Sequence, residues 1–467
     1  MWGQAALPLA LLLVTPHDPS VLTSSSCLSE SYRGLFGGNN VFVVDDACLS
    51  SSTGLLGEGS VSPLDNTGRQ LVWLEQEAVE DALKSSATND IASCISALSG
   101  VPLSTQDGEQ MVMPGSMSTI VVLAETPSSM VVSVAPEVAH TLDTCLPRFW
   151  KSSPIPTKPV PYVPISSAAT QRVMDIAASV KFDPVVASIV GNISVPQLRK
   201  DVRYLSGEDP SSGILSRHAF SKGALQAAAW LKEQFESTGA SCELKPFLRG
   251  FSPNVVCTYA ATEDTTETLL LSAHYDSRGS FGSTRAPGGD DDGSGVGALL
   301  GIAHTIARKG VTFRKNIQLV AFSGEEQGLY GSKAYAREMY ELGANLTLMV
   351  QADMLGYHVP GEPAQLGQPE SIGSAAVMQL ISNISAIYSP ELVVGTTPAC
   401  CSDHQSFHEL GFPASHVFER AGPIADPMYH NSGDLSDREG YDFEQIRSIA
   451  KVQFATLLHA AGFDLPE

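Results

Sequence analysis

The sequence predicts an α/β protein with a mixed, largely parallel central sheet flanked by helices, preceded by a smaller α+β region. Beyond residue 168, short apolar runs alternate with helical patterns, which is typical of a parallel sheet covered by helices. Five prolines between Ser152 and Ser167 separate this part from an N-terminal third that mixes β-branched runs with helical patterns. We therefore expect two structural regions joined by an extended linker.

The composition is that of a folded protein, and its charge disfavours some partners. Of the 467 residues, 43% are hydrophobic and only 17% are charged, which is typical of a chain that buries a core. The formal net charge of -22 opposes binding to nucleic acid or to an anionic membrane, because both are themselves negatively charged. We expect no nucleic-acid partner.

An apolar run near the N-terminus, from Ala5 to Val14, predicts a signal peptide over residues 1–16. The run is too short to span a bilayer, and the basic residues that usually precede such a run are missing. Eight cysteines, an even number, also suit an oxidising compartment. We expect a secreted, extracellular glycoprotein with no stable membrane insertion. Three sequons permit N-glycosylation: Asn192, Asn345 and Asn383.

The cysteines leave most disulfide pairings open. Cys242 and Cys257 flank a short turn region and could bridge neighbouring strands. Cys400 and Cys401 are adjacent, so they either form a vicinal disulfide or pair elsewhere. The sequence does not decide how the four cysteines of the N-terminal third pair: Cys27, Cys48, Cys94 and Cys145.

Residues 17–151 contain no recognisable catalytic constellation, so we interpret them as a propeptide, which would make the chain a zymogen, or as an accessory region. The runs "NNVFVVDD" and "STIVVLAE" predict strands, and "VWLEQEAVEDALKSS" predicts a helix with an acidic face. Residues 152–167 are the proline-rich linker. Residues 168–467 follow as the catalytic domain.

The catalytic domain alternates strands and helices in chain order. The predicted strands are apolar without alternation, as expected for strands buried on both faces, and they fall within residues 267–277, 315–326, 346–358 and 413–420. The predicted helices have apolar residues at helical spacing and fall within residues 219–239, 295–310, 332–343 and 442–462.

Polar and charged side chains follow three of these strands where each strand ends. The first strand ends at His274 and Asp276, the second at Glu325 and Glu326, and the third at Asp353. In open α/β sheets, sites form beyond the carboxyl ends of the strands, so these side chains should meet at one edge.

The stretch "APGGDDDGSG", from Ala286 to Gly295, adds three adjacent aspartates to the same edge. Adjacent carboxylates raise the pKa of one another, so such a row requires full solvation or a neutralising cation. Each piece alone has an ordinary explanation: Asp292 could simply cap the following helix, and a paired Glu is usually solvated. The ligand alternation of a calcium-binding EF-hand loop is absent. Together the pieces indicate a metal site.

Six motifs in this part of the chain resemble those of the secreted dinuclear zinc aminopeptidases, a family that includes the bacterial and fungal leucyl aminopeptidases. The resemblance extends from about Ala168 to the C-terminus, in order and with similar spacing, and it does not cover the first 165 residues. The motifs are "AHYDS", "APGGDDDGSG", "AFSGEEQGLYGS", "VQADMLGY", "CSDHQSF" and "DPMYHNSGD".

The resemblance implies two zinc ions per chain. His274 and Asp353 would hold one ion, Glu326 and His430 would hold the other, and Asp291 would bridge both. It also implies a cis peptide bond after the bridging aspartate, between Asp291 and Asp292.

The resemblance further implies the roles of two catalytic residues. Glu325 would act as general base and then as general acid. Asp276 would orient the imidazole of His274. The substrates would be peptides with free N-termini, from which a monomeric enzyme would release single residues. Three residues beside ligand positions could line an apolar pocket or simply pack in the core: Met354, Phe418 and Tyr429.

The chain departs from these relatives in the stretch "TTPACCSDH". Many relatives carry a Cys-x-x-x-Cys loop with a tyrosine that assists the tetrahedral intermediate, whereas here Thr397 replaces the first cysteine, Cys401 matches the second, and Ala399 stands at the tyrosine position. Three alternatives to an aminopeptidase stay open: a one-zinc aminoacyltransferase of the glutaminyl cyclase type, an inactive binding ectodomain, and a carboxypeptidase or dipeptidase.

Overall fold

The computed structural model describes residues 10–52, 54, 59–64, 68–84, 91, 94, 120–280, 283–399 and 401–466. The chain forms two compact units. The first contains most of the chain up to Pro164, and the second contains Ile165 to the C-terminus together with the short segment Ala78–Ala87. The boundary at residues 164–165 lies inside the predicted proline-rich linker.

The first unit is built from two four-stranded sheets in which all strand pairs are antiparallel. The strand orders are β2-β3-β1-β4 and β6-β7-β5-β8. The strands are β1 (Ala10–Pro16), β2 (Tyr32–Phe36), β3 (Asn39–Val44), β4 (Ser60–Leu64), β5 (Gln70–Gln76), β6 (Val121–Glu125), β7 (Ser129–Val134) and β8 (Trp150–Pro154). The helices of this part of the chain are α1 (Pro19–Ser24), α2 (Ser26–Ser31), α3 (Asp46–Ser52), α4 (Asp81–Lys84) and α5 (Pro136–Ala139), with a 3₁₀ turn at Leu142–Thr144.

The apolar run that predicts a signal peptide over residues 1–16 contributes a strand of the first sheet. Strand β1 pairs with β3 on one side and with β4 on the other. Leu11 and Leu13 lie in one apolar cluster and Leu12 and Val14 in another, because alternate side chains of a strand point to opposite faces. Cleavage after residue 16 stays a prediction, and it would remove this strand.

The predicted helix over "VWLEQEAVEDALKSS" is wrong for its first half. Gln70–Gln76 form the strand β5, and only Asp81–Lys84 are helical. Val72, Trp73 and Leu74 are almost fully buried because β5 lies between β7 and β8. Pairing with strands far away in sequence therefore prevails over the local helical pattern.

The second unit alternates helices and strands as the sequence predicts. Its helices are α6 (Ser167–Ser179), α7 (Pro184–Val190), α8 (Val195–Leu205), α9 (Lys222–Ser237), α10 (Gly293–Lys309), α11 (Tyr330–Glu341), α12 (Ala375–Tyr388), α13 (His404–His408) and α14 (Phe443–Ala461). Its strands are β9 (Ser241–Lys245), β10 (Asn254–Tyr259), β11 (Thr268–His274), β12 (Thr312–Phe313), β13 (Asn316–Phe322), β14 (Leu346–Ala352), β15 (Gln365–Pro369), β16 (Val393–Thr397), β17 (Ala414–Val417) and β18 (Phe463–Asp464).

A six-stranded sheet with the order β17-β14-β11-β13-β10-β9 forms the centre of this unit. Strands β17, β14, β11 and β13 are mutually parallel, and β10 and β9 complete the sheet in antiparallel pairings. Two apolar clusters contain residues from alternate positions of these strands, so both faces of the sheet are covered. The predicted mixed, largely parallel fold class is confirmed.

The packing of helix α10 fixes the position of its N-terminus at the carboxyl edge of the sheet. A Cβ atom on Gly297 would lie 2.8 Å from Val202 Cγ2, and one on Gly301 would lie 2.7 Å from Leu198 Cδ2, so the two glycines let α8 approach α10 closely. Helix α10 starts directly after the three aspartates, with Asp292 as its N-cap residue. The aspartate row is therefore held at the end of a helix that is packed against the rest of the unit.

Three disulfides join Cys27 to Cys48, Cys94 to Cys145, and Cys242 to Cys257. The last one links directly opposed residues of β9 and β10, as the sequence allows. Cys401 is also disulfide-bonded, whereas Cys400 lies outside the described residues. None of the described helices has the length and apolar character needed to cross a bilayer.

Candidate metal centre

The five predicted ligands come from separate parts of the second unit and meet at the carboxyl edge of its sheet. His274 is the last residue of β11, and Asp353 directly follows β14. Glu326 lies in the loop after β13, Asp291 directly precedes the cap of α10, and His430 lies between β17 and α14. The strand ends therefore bring together residues that are up to 156 positions apart (from 274 to 430).

The ligand atoms form two groups that share Asp291. In the first group, His274 Nε2 lies 3.1 Å from Asp291 Oδ1 and 3.7 Å from Asp353 Oδ1. In the second group, His430 Nε2 lies 3.4 Å from Asp291 Oδ2 and 3.1 Å from Glu326 Oε2. Asp291 thus offers one carboxylate oxygen to each group, as a bridging ligand would.

These distances suit tetrahedral zinc. Ligand atoms at about 2.0–2.2 Å from a tetrahedral ion lie about 3.3–3.6 Å from one another, close to the four separations observed. Glu326 Oε1 is buried and makes no hydrogen bond, although a buried carboxylate oxygen normally has a partner. A cation at this position would provide one.

Burial and mutual repulsion act on the carboxylates of this centre. Burial, followed by the charges of Asp291 and Glu325, raises the pKa of Glu326 well above its usual range. Burial also raises the pKa of Asp291. Several buried carboxylates in one place are costly unless a cation neutralises them, so the electrostatics of the site fit a metal.

The three adjacent aspartates have three different partners. Asp290 accepts hydrogen bonds from the backbone N–H groups of Gly356 and Tyr357, at 2.7 and 3.1 Å. Asp291 faces the two histidines, and the Asp291–Asp292 peptide bond is cis.

The carboxylate of Asp292 accepts from the N–H groups of Gly295, His274 and Met354 at 2.9–3.2 Å. The helix-cap interpretation of Asp292 therefore agrees with the structure, and only Asp291 belongs to the metal groups.

Asp276 contacts both His274 and the loop that carries Glu325 and Glu326. Its carboxylate accepts from the N–H groups of Glu325 and Glu326, at 3.3 Å each. The Asp276 carboxylate lies 3.7 Å from His274 Nδ1, whereas the backbone carbonyl of Asp276 lies at 3.2 Å. The nearer partner of the imidazole is thus the main chain of Asp276. The side chain holds the Glu325–Glu326 loop.

Glu325 is half-buried beside the ligands but is not in either metal group. Burial raises its pKa well above the usual range, and the carboxylates of Asp353 and Asp403 act in the same direction. A carboxyl group that binds a proton more readily than usual, placed next to a candidate metal site, has the properties of a general base.

The three predicted pocket residues are buried at 2–6% exposure. Met354 directly follows the ligand Asp353 and has a positive φ of 50°. The ring of Tyr429 stacks on the imidazole of His430 with 3.8 Å between centroids. Phe418 pairs through its main chain with Gly367, and its neighbour Glu419 donates its N–H to the Met354 carbonyl at 2.9 Å. All three residues thus lie along segments that carry site residues.

The stretch that departs from the expected pattern is also packed. Thr397 is fully buried and donates its hydroxyl to the Gly422 carbonyl, and the N–H of Ala399 donates to Thr397 Oγ1. The hydroxyl of Thr397 therefore has a structural hydrogen bond at the position that relatives give to a cysteine.

Sequence reasoning missed Asp434 as a support of Asp291, the predicted bridging ligand. Its carboxylate accepts from the N–H groups of Asp290 and Asp291 at 3.0–3.1 Å, and Arg438 donates to it at 3.1 Å. Arg438 also forms two hydrogen bonds of 2.6 Å with Asp426. The motif "DPMYHNSGD" contains both Asp426 and Asp434, so the signal was present in the sequence.

Comparison with known sequences finds a described peptidase family whose sequence model matches the part of the chain that carries this site. Residues 254–456 match the sequence model of peptidase family M28. A probable leucine aminopeptidase of Arthroderma otae is 28% identical over 281 residues, which are 57% of this chain and 73% of that protein.

Two solved structures from Legionella pneumophila share the fold. The LapA aminopeptidase matches with a TM-score of 0.61 and 18% identity, over 85% of this chain and 99% of its own. LapB matches with a TM-score of 0.59 and 16% identity, over 84% of this chain and 99% of its own.

Proposed function

We propose that this chain is a secreted dinuclear zinc aminopeptidase of peptidase family M28, which releases single, mainly apolar residues from free N-termini of peptides. The family depends on zinc. One observation carries the proposal of two ions. Asp291 presents one oxygen to the His274–Asp353 pair and the other to the Glu326–His430 pair.

Zinc bound at these groups would polarise the scissile carbonyl and lower the pKa of the attacking water. Every other part of the reaction falls to residues of this chain. The Glu325 carboxylate would take a proton from the water and deliver it to the leaving nitrogen, so that the peptide bond breaks and a free amine departs. The Glu325 N–H, donated to the Asp276 carboxylate, holds that base in place.

The requirement for a free N-terminus would follow from the position of Asp353. Its carboxylate belongs to the group of ligand atoms that does not contain Glu326, and it could face a protonated or metal-bound substrate amine. Met354, Phe418 and Tyr429 would then receive the first side chain of the peptide, which favours apolar residues because all three are apolar or aromatic.

The test compares leucine 4-nitroanilide with its N-acetylated analogue, with and without a chelator, on protein whose metal content is measured in the same sample. We expect cleavage of the free-amine substrate alone, its loss on chelation, and about two zinc ions per chain. Cleavage of blocked substrates, formation of pyroglutamyl products from N-terminal glutamine, or full activity without zinc would contradict the proposal.

Two neighbouring glutamates provide matched variants in the same experiment. Glu325→Gln should keep both metals and lose turnover by about 10²–10⁴-fold, because it removes only the proton carrier. Glu326→Gln should lose metal occupancy together with activity, because it removes a ligand. Loss of metal in the Glu325 variant would reverse the two roles.

A further inference from the structure

A buried arginine lies directly behind the metal centre. Arg217 stands between α8 and α9 and has no exposed surface. Its guanidinium donates to four backbone carbonyls: Nε to Tyr275 at 2.7 Å, Nη1 to Leu205 at 2.9 Å and to Pro287, and Nη2 to Gly288 at 2.8 Å. One side chain therefore fastens three separate segments of main chain.

Two of these segments carry metal ligands. Tyr275 lies between the ligand His274 and the loop-holding residue Asp276. Pro287 and Gly288 begin the turn that leads to Asp291 three residues later. The third segment is the last residue of α8, which anchors the arginine to the helical layer.

The main chain around Arg217 strengthens the same connection. The N–H of Arg217 donates to the Ala286 carbonyl at 3.2 Å, and Ser216 forms an isolated β-bridge with Ala286. The buried hydroxyl of Ser277, from the end of the first segment, donates to the same Ala286 carbonyl at 2.7 Å. The end of β11 and the turn from Ala286 to Asp291, called the ligand turn below, are thus joined at several points.

The ligand turn has no space in which to shift. Gly288 has a φ of +51°, and a Cβ there would lie 2.3 Å from the Asp291 carbonyl oxygen and 2.5 Å from Ser277 Cβ. The Gly288 carbonyl accepts both from Arg217 and from the N–H of Gly293, at the start of α10. A displacement of this carbonyl would therefore move the neighbourhood of Asp291.

The charge of Arg217 also faces the centre. Burial lowers the pKa of the Arg217 guanidinium, and the negative charges of four carboxylates oppose this effect: Asp434, Asp292, Asp276 and Asp291. These carboxylates are the groups that bind, cap or support the ligand segments.

We propose that Arg217 is a positioning residue for the metal centre: it sets the separation between His274 and the bridging Asp291, and thereby the zinc affinity of the site. The inference rests on the proposed dinuclear zinc function. Because Arg217 touches main chain and not the pocket residues, its loss should lower kcat and zinc affinity and leave KM nearly unchanged.

The test measures zinc affinity by competition with a chelator for Arg217→Lys and Arg217→Gln, with thermal unfolding of the metal-free proteins in parallel. We expect zinc affinity to fall about 10–100-fold in both variants. Lysine keeps the charge but cannot donate along the same directions as a planar guanidinium. The control is Arg172→Gln, a half-buried arginine whose Nη1 donates to the Asn345 side chain, and it should bind zinc like the wild type.

Wild-type zinc affinity in a folded Arg217→Lys protein would overturn the inference. If neither arginine variant folds, Ser277→Ala tests the same connection, since it removes one donor from the Ala286 carbonyl, and unchanged zinc affinity there would equally overturn it. Failure of the proposed function has a different signature, because the unmodified protein itself would then bind no zinc.

Discussion

The protonation of two buried carboxyl groups should make zinc binding depend on pH. Burial raises the pKa of Glu326 well above its usual range and also raises that of Asp291. In the metal-free protein both groups therefore keep protons that ordinary carboxyl groups would lose, and zinc must displace those protons. As the pH rises through the raised pKa values, the metal-free fold loses the stability that the protonated form provides.

We predict that zinc stabilises the protein more at about pH 8 than at about pH 5. The measurement is the melting temperature of the zinc-bound protein minus that of the dialysed metal-free protein across this range. Glu326→Gln, which lacks a proposed zinc ligand, should show only a small difference at every pH. An equal difference at both ends of the range would contradict the prediction.

Whether a site residue can be predicted from the sequence depends on whether a local pattern marks it. His274, Glu325, Glu326 and Asp353 could be found because each stands at the end of an apolar run, and the parallel fold brings strand ends together. Arg217 could not be found in this way. Its partners are carbonyl groups 12 to 71 residues away, and any residue type can provide a carbonyl.

At the scale of elements, three sequons differ in what their amide nitrogen does. Asn192 is exposed in the turn between α7 and α8, and its Nδ2 donates to the Ser188 carbonyl of the preceding helix at 2.8 Å. Asn345 Nδ2 donates to Thr266 Oγ1 at 3.2 Å, and Arg172 Nη1 donates to Asn345 Oδ1 at 2.8 Å. Asn383 lies within α12 and donates to the Ala177 carbonyl of α6 at 3.1 Å.

We predict that the protein secreted from a glycosylating host carries its N-glycan at Asn192 and not at the other two sequons, since a glycan occupies the Nδ2 atom. Peptide mapping after enzymatic release of the glycan measures the occupancy of each site. Asn192→Gln should abolish the mass shift, whereas Asn345→Gln should keep it. A glycan at Asn383 in folded protein would contradict the prediction.

The success of element prediction depended on whether local pattern and long-range pairing agree. Strands such as Thr268–His274 are buried on both faces, so an unbroken apolar run is sufficient to identify them. The segment Gln70–Gln76 has a helical pattern locally, and its strand conformation depends on β7 and β8, which lie more than 50 residues further along the chain. No local signal reports those partners.

At the scale of the whole molecule, one short segment belongs to the second unit although residues of the first unit flank it. Val79 forms a parallel β-bridge with Ile424, and the Glu80 carboxylate accepts a hydrogen bond of 2.7 Å from Arg420 Nη1. Both Val79 and Ile424 are 3% exposed. Arg420–Ile424 lie between Phe418 and Tyr429, two of the proposed pocket residues, so this segment packs on a loop that leads to the proposed substrate site.

We predict that removing the N-terminal region raises kcat/KM for peptide substrates, as expected of a propeptide. A protease site engineered at Thr157–Pro159, where all three residues are exposed, would separate the region from the catalytic domain. Cleavage alone should change little, because Ala78–Lys84 would stay packed on Arg420–Ile424. Activity should rise only once the fragment dissociates, for example under mild denaturant followed by size exclusion.

A second variant, Glu80→Gln, should release the fragment more readily, since it removes the charge that faces Arg420. Unchanged activity in the isolated catalytic domain would identify residues 17–151 as an accessory region instead.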